Sequence, residues 1–287
     1  MHDPIKHGLT TGWRHIDAST LAESQTVEAD VVVVGTGAGG GVTADILSDA
    51  GLRVVLVEEG PLRSSSDFKM REAVAYPELY QESAARKTAD KAINILQGRC
   101  VGGSTTVNWT SSFRTPDAVL AFWRQRFGLG QLSSPVLDPW FARMEKALSI
   151  HDWEMPPNAN NRVLANGGEK LGIEVGLIKR NVKGCWNLGY CGMGCPTNAK
   201  QSMLLTTLPA ALNRGAILYT RLRAERLRFS GGRVTTLDCQ ALQADGIHPA
   251  GRRVQLRARH FVIAGGAIGS PALLLRSGVP DPRRLLG

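Results

Sequence analysis

The chain has 287 residues, 43% of them hydrophobic and 21% charged, with a formal net charge of +9. That length can bury a core in one large domain or two modest ones, and the composition excludes a disordered, collagen-like or disulfide-stapled chain. The basic excess sits in Arg214–Arg233 and Arg252–Arg259. It reads first as a basic surface, and an anionic cofactor or an acidic partner fits it equally well. No helix-turn-helix, zinc-finger or stacking-aromatic pattern accompanies it, so no nucleic acid partner is expected.

Residues 1 to 27 are polar and aperiodic, and read as an N-terminal extension without a secretory signal. Val31–Val34 is an apolar, β-branched run, the mark of a parallel strand buried on both faces. A glycine-rich turn (Gly35 to Gly41), a helix (Val42 to Ala50) and a second strand (Arg53 to Val57) complete one βαβ unit. Residues 62–97 are loops and a helix. Phe122, Trp123, Phe127, Trp140, Phe141, Met144 and Leu148 recur at helical spacing, and this stripe reads as core packing. Residues 152–162 are loop, and Leu204 to Asn213 is a helix. Ile217 to Phe229 and Val234 to Leu242 form a meander about Ser230-Gly231-Gly232. Phe261–Ala264 is another buried strand, followed by Gly265-Gly266 and a helix over Pro271 to Arg276. The apolar run Phe261–Leu275 is interrupted by Gly and Pro and falls short of the roughly 20 residues of a membrane helix. No transmembrane segment is expected, and the protein reads as cytoplasmic or peripheral to the membrane. Five cysteines, an odd number, argue against a disulfide framework and for a reducing compartment. Cys100 and Cys239 read as small buried hydrophobes.

Gly35-Thr36-Gly37-Ala38-Gly39-Gly40 fits G-x-G-x-x-G between a buried strand and a helix. Gly35 makes the tight turn, Gly37 admits a pyrophosphate to the backbone, and Gly40 lets helix and strand pack closely. The helix N-terminus offers free N–H groups to the phosphates. Glu58, about 20 residues on, is placed to accept hydrogen bonds from a ribose. Strand alternation directs Glu59 the other way. The motif alone does not choose between NAD and FAD, and a structural glycine turn is the alternative.

A second glycine cluster, Gly98-Arg99-Cys100-Val101-Gly102-Gly103-Ser104-Thr105-Thr106-Val107-Asn108, resembles the first signature of the glucose–methanol–choline (GMC) flavin oxidoreductases. Gly266-Ala267-Ile268-Gly269-Ser270-Pro271-Ala272-Leu273-Leu274-Leu275-Arg276-Ser277-Gly278-Val279 resembles the second. The resemblance spans residues 28 to 280. It implies an α/β, Rossmann-like FAD/NAD(P)-binding domain over 28–287, interrupted by an inserted helical and loop region at about 116–210. It further implies that Gly35, Gly37 and Gly40 hold the FAD pyrophosphate and Glu58 the ribose. Arg99, Gly102, Gly103, Ser104 and Asn108 would line the stretch toward the flavin, with an ion pair as the alternative role for Arg99. Ala224 would lie against the adenine, and Ala264 and Gly265 would close over the adenosine side.

Three positions depart from the family pattern: Ser112 in the first signature, Pro280 at the end of the second, and Val107. Val107 stands where members with covalently attached flavin carry His, so FAD here is expected to be non-covalent. Cys185, Cys191 and Cys195 are spaced C-x(5)-C-x(3)-C. Three thiolates suit a three-iron iron–sulfur cluster, and the spacing resembles a cluster-bearing, membrane-associated branch of the family. A glycine-rich loop with free thiols is the competing reading. None of the six histidines (His2, His7, His15, His151, His248, His260) lies in a catalytic context. The family's base and substrate domain come from beyond the second signature, so they are expected outside this chain, which alone would be inactive. The resemblance thus implies an FAD-dependent enzyme that oxidises a small-molecule alcohol, with an electron-acceptor protein or a quinone as further partner. The rival readings are a non-catalytic flavin-binding fragment, a split-enzyme subunit needing a partner chain, and an iron–sulfur electron-transfer subunit.

Overall fold

A computed structural model describes residues 2–286. In chain order the first elements are α1 (Pro4–Thr10), β1 (Arg14–Asp17), β2 (Gln25–Val34), α2 (Ala38–Asp49), β3 (Val54–Val57), α3 (Glu72–Leu79) and α4 (Ser104–Val107). Then come β4 (Ser111–Ser112), α5 (Asp117–Phe127), α6 (Ser134–Ala147), β5 (Ile150–His151), α7 (Ala159–Lys170) and β6 (Lys179–Asn181). The last are α8 (Thr207–Asn213), β7 (Ile217–Thr220), β8 (Leu222–Ser230), β9 (Arg233–Leu242), β10 (Pro249–Ile263) and α9 (Gly266–Arg276). The chain divides into two compact units, Met1–Asn108 with Trp186–Gly287, and Trp109–Cys185.

The first unit is built on a seven-stranded sheet of order β1-β7-β3-β2-β10-β9-β8. Pairing is parallel from β1 through β10 and antiparallel from β10 to β8. The valine run predicts the centre correctly. Val31–Val34 pairs with Val54–Val57 on one side, and Val32 and Val34 stand opposite Phe261 and Ile263 on the other. Val32, Val34, Val55 and Val57 share a core with Leu222, Leu227, Leu237 and Leu256 of the meander and Leu273 of α9. Val31, Val33, Val54 and Leu56 take the alternate positions and are equally buried. Among the described residues no helix is long and apolar enough to cross a membrane.

Three sequence expectations change. The opening segment supplies α1 and the edge strand β1, paired in register with β7 from Arg14↔Ile217 to Asp17↔Thr220. Its anchor is Asp3, which caps α1 through the amides of Ile5 and Lys6 and accepts from Ser64 and Ser66. Partial burial would raise its pKa, but those donors outweigh it and hold the carboxyl at about 2. A single long strand over Ile217–Phe229 is replaced by β7 and β8. Arg221, at φ 50°, breaks the run and sends the chain from the parallel sheet into the meander.

The second unit carries α5, α6, α7 and a three-stranded antiparallel sheet of order β4-β6-β5. Its aromatic stripe is not core. Phe122, Phe127 and Trp140 are 54%, 60% and 56% exposed, whereas Leu120 is buried. Helical spacing shows that residues share a face, not that something covers it. Phe122 and Phe127 meet edge to face at 5.9 Å, and the Arg114 guanidinium lies over Phe141.

Gly40 is where α2 meets the β2 turn. A Cβ there would overlap the Gly35 carbonyl oxygen and press on Val33, whereas at Gly39 it would meet only Ala264 at 3.8 Å. Gly40→Ala should therefore cost about 1–3 kcal/mol by overpacking. Gly39→Ala should leave stability unchanged or raise it by up to about 1 kcal/mol, as expected for Ala over Gly in a helix. Urea denaturation of the two variants beside the parent chain checks this ordering.

Candidate functional site

Parallel pairing puts the C-terminal ends of β2, β3 and β10 on one edge of the sheet, the usual ligand edge of such folds. There, within the first unit, lies a cavity of about 1130 Å³. Gly35, Gly37, Glu58, Arg99, Gly103, Ser104, Ala224, Ala264 and Gly265 all line it. Gly40, Gly102 and Asn108 do not; they stand behind the lining. Gly40 packs under the first turn, Gly102 lies against Thr106, and the Asn108 amide closes α4 on the Ser104 carbonyl.

Two helices begin at the cavity. Gly37 stands at the N-cap of α2 and Gly265 at that of α9, and neither helix has a side-chain cap or an acidic residue in its first turn. Their first amides have no intrahelical acceptors, and their dipoles favour negative charge. The two glycine loops also touch: a Cβ on Gly103 would stand 2.8 Å from the Gly37 Cα. Only a bare backbone fits there. This cradle suits a pyrophosphate.

Glu58 sits where β3 ends and is 7% exposed. Oε2 accepts from the Thr36 amide at 3.2 Å and the Thr36 hydroxyl at 2.5 Å, and Oε1 accepts from the Gly60 amide at 2.9 Å. The Thr36 hydroxyl in turn accepts from the Gly102 amide at 3.1 Å. Burial pushes the Glu58 carboxyl up, against the opposing hydrogen bonds from Thr36 and Gly60. Thr36 thus ties the carboxylate to both loops. Pattern matching missed it because it occupies an unspecified position of the motif.

Glu59 also lines the cavity. Strand alternation does not apply to it, because the strand stops at Val57 and the Glu58 amide bonds the Tyr219 carbonyl. Glu59 pairs with Arg99 at 3.1 Å and Arg223 at 3.2 Å. Arg99 also donates to the Gly246 carbonyl. Arg99 is therefore both a wall of the cavity and half of an ion pair. Arg86, Arg223, Arg226 and Arg276 complete the basic side of the wall. Sequence alone had placed Arg223 and Arg226 only in a general basic excess, and Arg276 only within the second signature.

The cysteine expectation needs correction. Among the described residues, no group of three or more His, Cys, Asp or Glu side chains is arranged to hold a metal. Cys185 belongs to the second unit, Cys191 and Cys195 to the first. The Cys195 sulfur is engaged locally by the Thr197 hydroxyl and the Lys200 amide, and Cys191 lies in a short 3-10 turn. A shared spacing in sequence does not converge three thiols on one ion. Cys100 and Cys239 are buried, and burial pushes both thiols up. No histidine lines the cavity.

A family model described as GMC oxidoreductase matches residues 76–287. A long-chain-alcohol oxidase of Arabidopsis thaliana is 31% identical over 266 residues, covering 90% of this chain and 35% of the relative. An uncharacterized GMC-type oxidoreductase of Sinorhizobium fredii is 33% identical, covering 91% of this chain and 51% of the relative. The crystal structure of pyridoxine 4-oxidase from Mesorbium loti superposes with a TM-score of 0.66 at 22% identity, covering 87% of this chain and 52% of that one. The chain thus spans between about a third and a half of the curated relatives it matches.

The raised pKa of Glu58 has a stability consequence. Its folded value lies above its unfolded value, so the ionised form opposes folding. That penalty is absent below the unfolded pKa and grows as pH rises through the folded one. The Tm of the parent chain minus that of Glu58→Gln should therefore fall as pH increases from the ordinary carboxylate range upward. A difference constant across that range, measured by thermal scans at matched ionic strength, would contradict the assignment.

Proposed function

The chain belongs to the GMC oxidoreductase family, and from that premise we propose that it carries an FAD-binding domain serving oxidation of the CH–OH group of a small-molecule alcohol. The observation that carries this reading is convergence. Two uncapped helix N-termini and one buried, oriented carboxylate face a single cavity. An anion and a vicinal diol need that pair of features, and an adenine dinucleotide has both. On this reading the FAD-binding domain is residues 28–287, interrupted by the inserted region.

Gly35, Gly37 and the first amides of α2 hold the pyrophosphate, with Gly40 letting α2 pack close enough to present them. Glu58 accepts from the ribose, and Thr36 keeps its carboxylate turned. Ala224, Ala264 and Gly265 close over the adenosine side, and Arg99, held by Glu59, lines the stretch toward the flavin. Gly103 and Ser104 border the path toward the flavin, with Gly102 and Asn108 fixing that loop from behind. Bound FAD would supply the hydride acceptor for alcohol oxidation. One observation favours a second reading, in which a partner chain provides the base: none of the six histidines lines the cavity.

Two outcomes test the cofactor. Glu58→Ala should weaken FAD binding by about 1.5–3 kcal/mol, the scale of a hydrogen bond to a charged group. Glu59→Ala, which acts only through the arginines, should weaken it less. Flavin-fluorescence titration of both variants checks the order. FAD should also be released fully when the loaded protein is precipitated with acid, because Val107 offers no attachment atom. Flavin absorbance is then read in the supernatant, and colour kept in the pellet would reverse the inference.

A further inference from the structure

Lys200 has no place in the reading above, yet it is 2% exposed. Its ammonium donates to the carbonyls of Thr106 at 2.9 Å, Asn108 at 2.5 Å and Cys191 at 2.7 Å. Two of these carbonyls belong to the end of α4 and the residue that closes it, where helical carbonyls lack intrahelical donors. The third opens the 3-10 turn Cys191–Met193. An ammonium carries three N–H donors, and three carbonyls lie within reach. The Tyr80 hydroxyl spans the same gap from another side, with the Gly192 carbonyl at 2.6 Å and the Val107 carbonyl at 3.3 Å. Burial raises the pKa of Tyr80 to about 12, so it stays a donor.

The geometry points to Lys200 as a positioning residue. Its buried ammonium clamps α4 to the Cys191 turn and so fixes the Gly98–Asn108 loop in the shape that borders the cofactor path. This inference rests on the FAD reading for its consequence, but the clamp itself is made wholly of this chain's own residues. Its removal would take one donor from each of three carbonyls, the Thr106 carbonyl being buried. The loop is also where Gly103 meets Gly37 without clearance, so a small displacement of α4 closes or opens the cradle. The cysteine-rich segment thereby acquires a role as the far wall of this clamp.

The test uses Lys200→Met and, as a control for general destabilisation, Ala211→Gly, which sits fully buried in α8. Hydrogen exchange is followed without FAD at the Thr105, Thr106, Asn108 and Met193 amides, all bonded within the clamped segments. Lys200→Met should accelerate these at least tenfold beyond the control, and Lys200→Gln, keeping two N–H donors, should fall between. FAD affinity should drop at least tenfold and the visible circular dichroism of the flavin should change in Lys200→Met, whereas Ala211→Gly keeps both. Equal exchange in Lys200→Met and the control would overturn the clamp. A parent chain that fails to bind FAD would instead overturn the cofactor reading, leaving the exchange result standing. Should the variants not fold, brief acetylation of the parent chain decides the matter. Lys69 and Lys91, which are exposed, should be labelled and Lys200 spared. Prompt labelling of Lys200 would sink the proposal.

Discussion

The site hangs on the hydrogen bond between the Thr36 hydroxyl and the Glu58 carboxylate. A carboxylate this buried is tolerable only when donors surround it. Here the donors are the amide and hydroxyl of Thr36 and the amide of Gly60. They come from two different parts of the architecture, the loop after β2 and the turn after β3. Because the Thr36 hydroxyl also accepts from Gly102, the second glycine loop is hung on the first through one oxygen. The loops then approach until Gly37 and Gly103 touch.

The sheet explains why two helix N-termini arrive at the same place. β2 and β10 are parallel neighbours, with Val34 opposite Ile263. Each runs out at the same edge and turns at once into a helix, α2 after β2 and α9 after β10. Residues more than 200 positions apart in sequence thus present amides side by side. The Ala264 amide bonding the Val34 carbonyl at 2.8 Å carries the pairing right to the lip of the cavity. Adjacent parallel strands favour this geometry, and the meander beyond β10 adds Leu227 and Leu237 to the core shared with Leu256 of β10.

What was legible in the sequence was local. Val31–Val34 announced a doubly buried strand, the glycine turn its helix, and Phe261–Ile263 the returning neighbour. Glu58 could be picked out because the length of a βαβ unit fixes where its second strand ends. Features that depend on a tertiary partner were not legible. β1 is four polar-leaning residues whose pairing with β7 no periodicity signals. The break at Arg221 needs a left-handed residue that composition does not mark. The aromatic stripe has a helical period, but period reports a common face and not a cover. The cysteines share a spacing that suits a three-iron cluster, but spacing says nothing of whether thiols converge. Thr36 was invisible because its role is a hydroxyl aimed at a residue 22 positions away.

The charge of the site follows the same logic. Five arginines line the cavity, Arg86, Arg99, Arg223, Arg226 and Arg276, beside only three carboxylates, Glu58, Glu59 and Glu225. Glu59 is shared by Arg99 and Arg223, so that trio keeps one positive charge while both guanidiniums are held in place. Arg276 is turned onto the carbonyls of Ala224 and Glu225, which fixes the backbone along the wall. Glu58 stands apart from this set: the Thr36 amide and hydroxyl and the Gly60 amide, all uncharged, donate to it, so its oxygens keep the character of acceptors. The basic excess seen in the composition is therefore unevenly employed. Near the cavity it adds to two helix N-termini and gives an anion a reason to bind, and the buried Glu58 supplies an acceptor for hydroxyl groups.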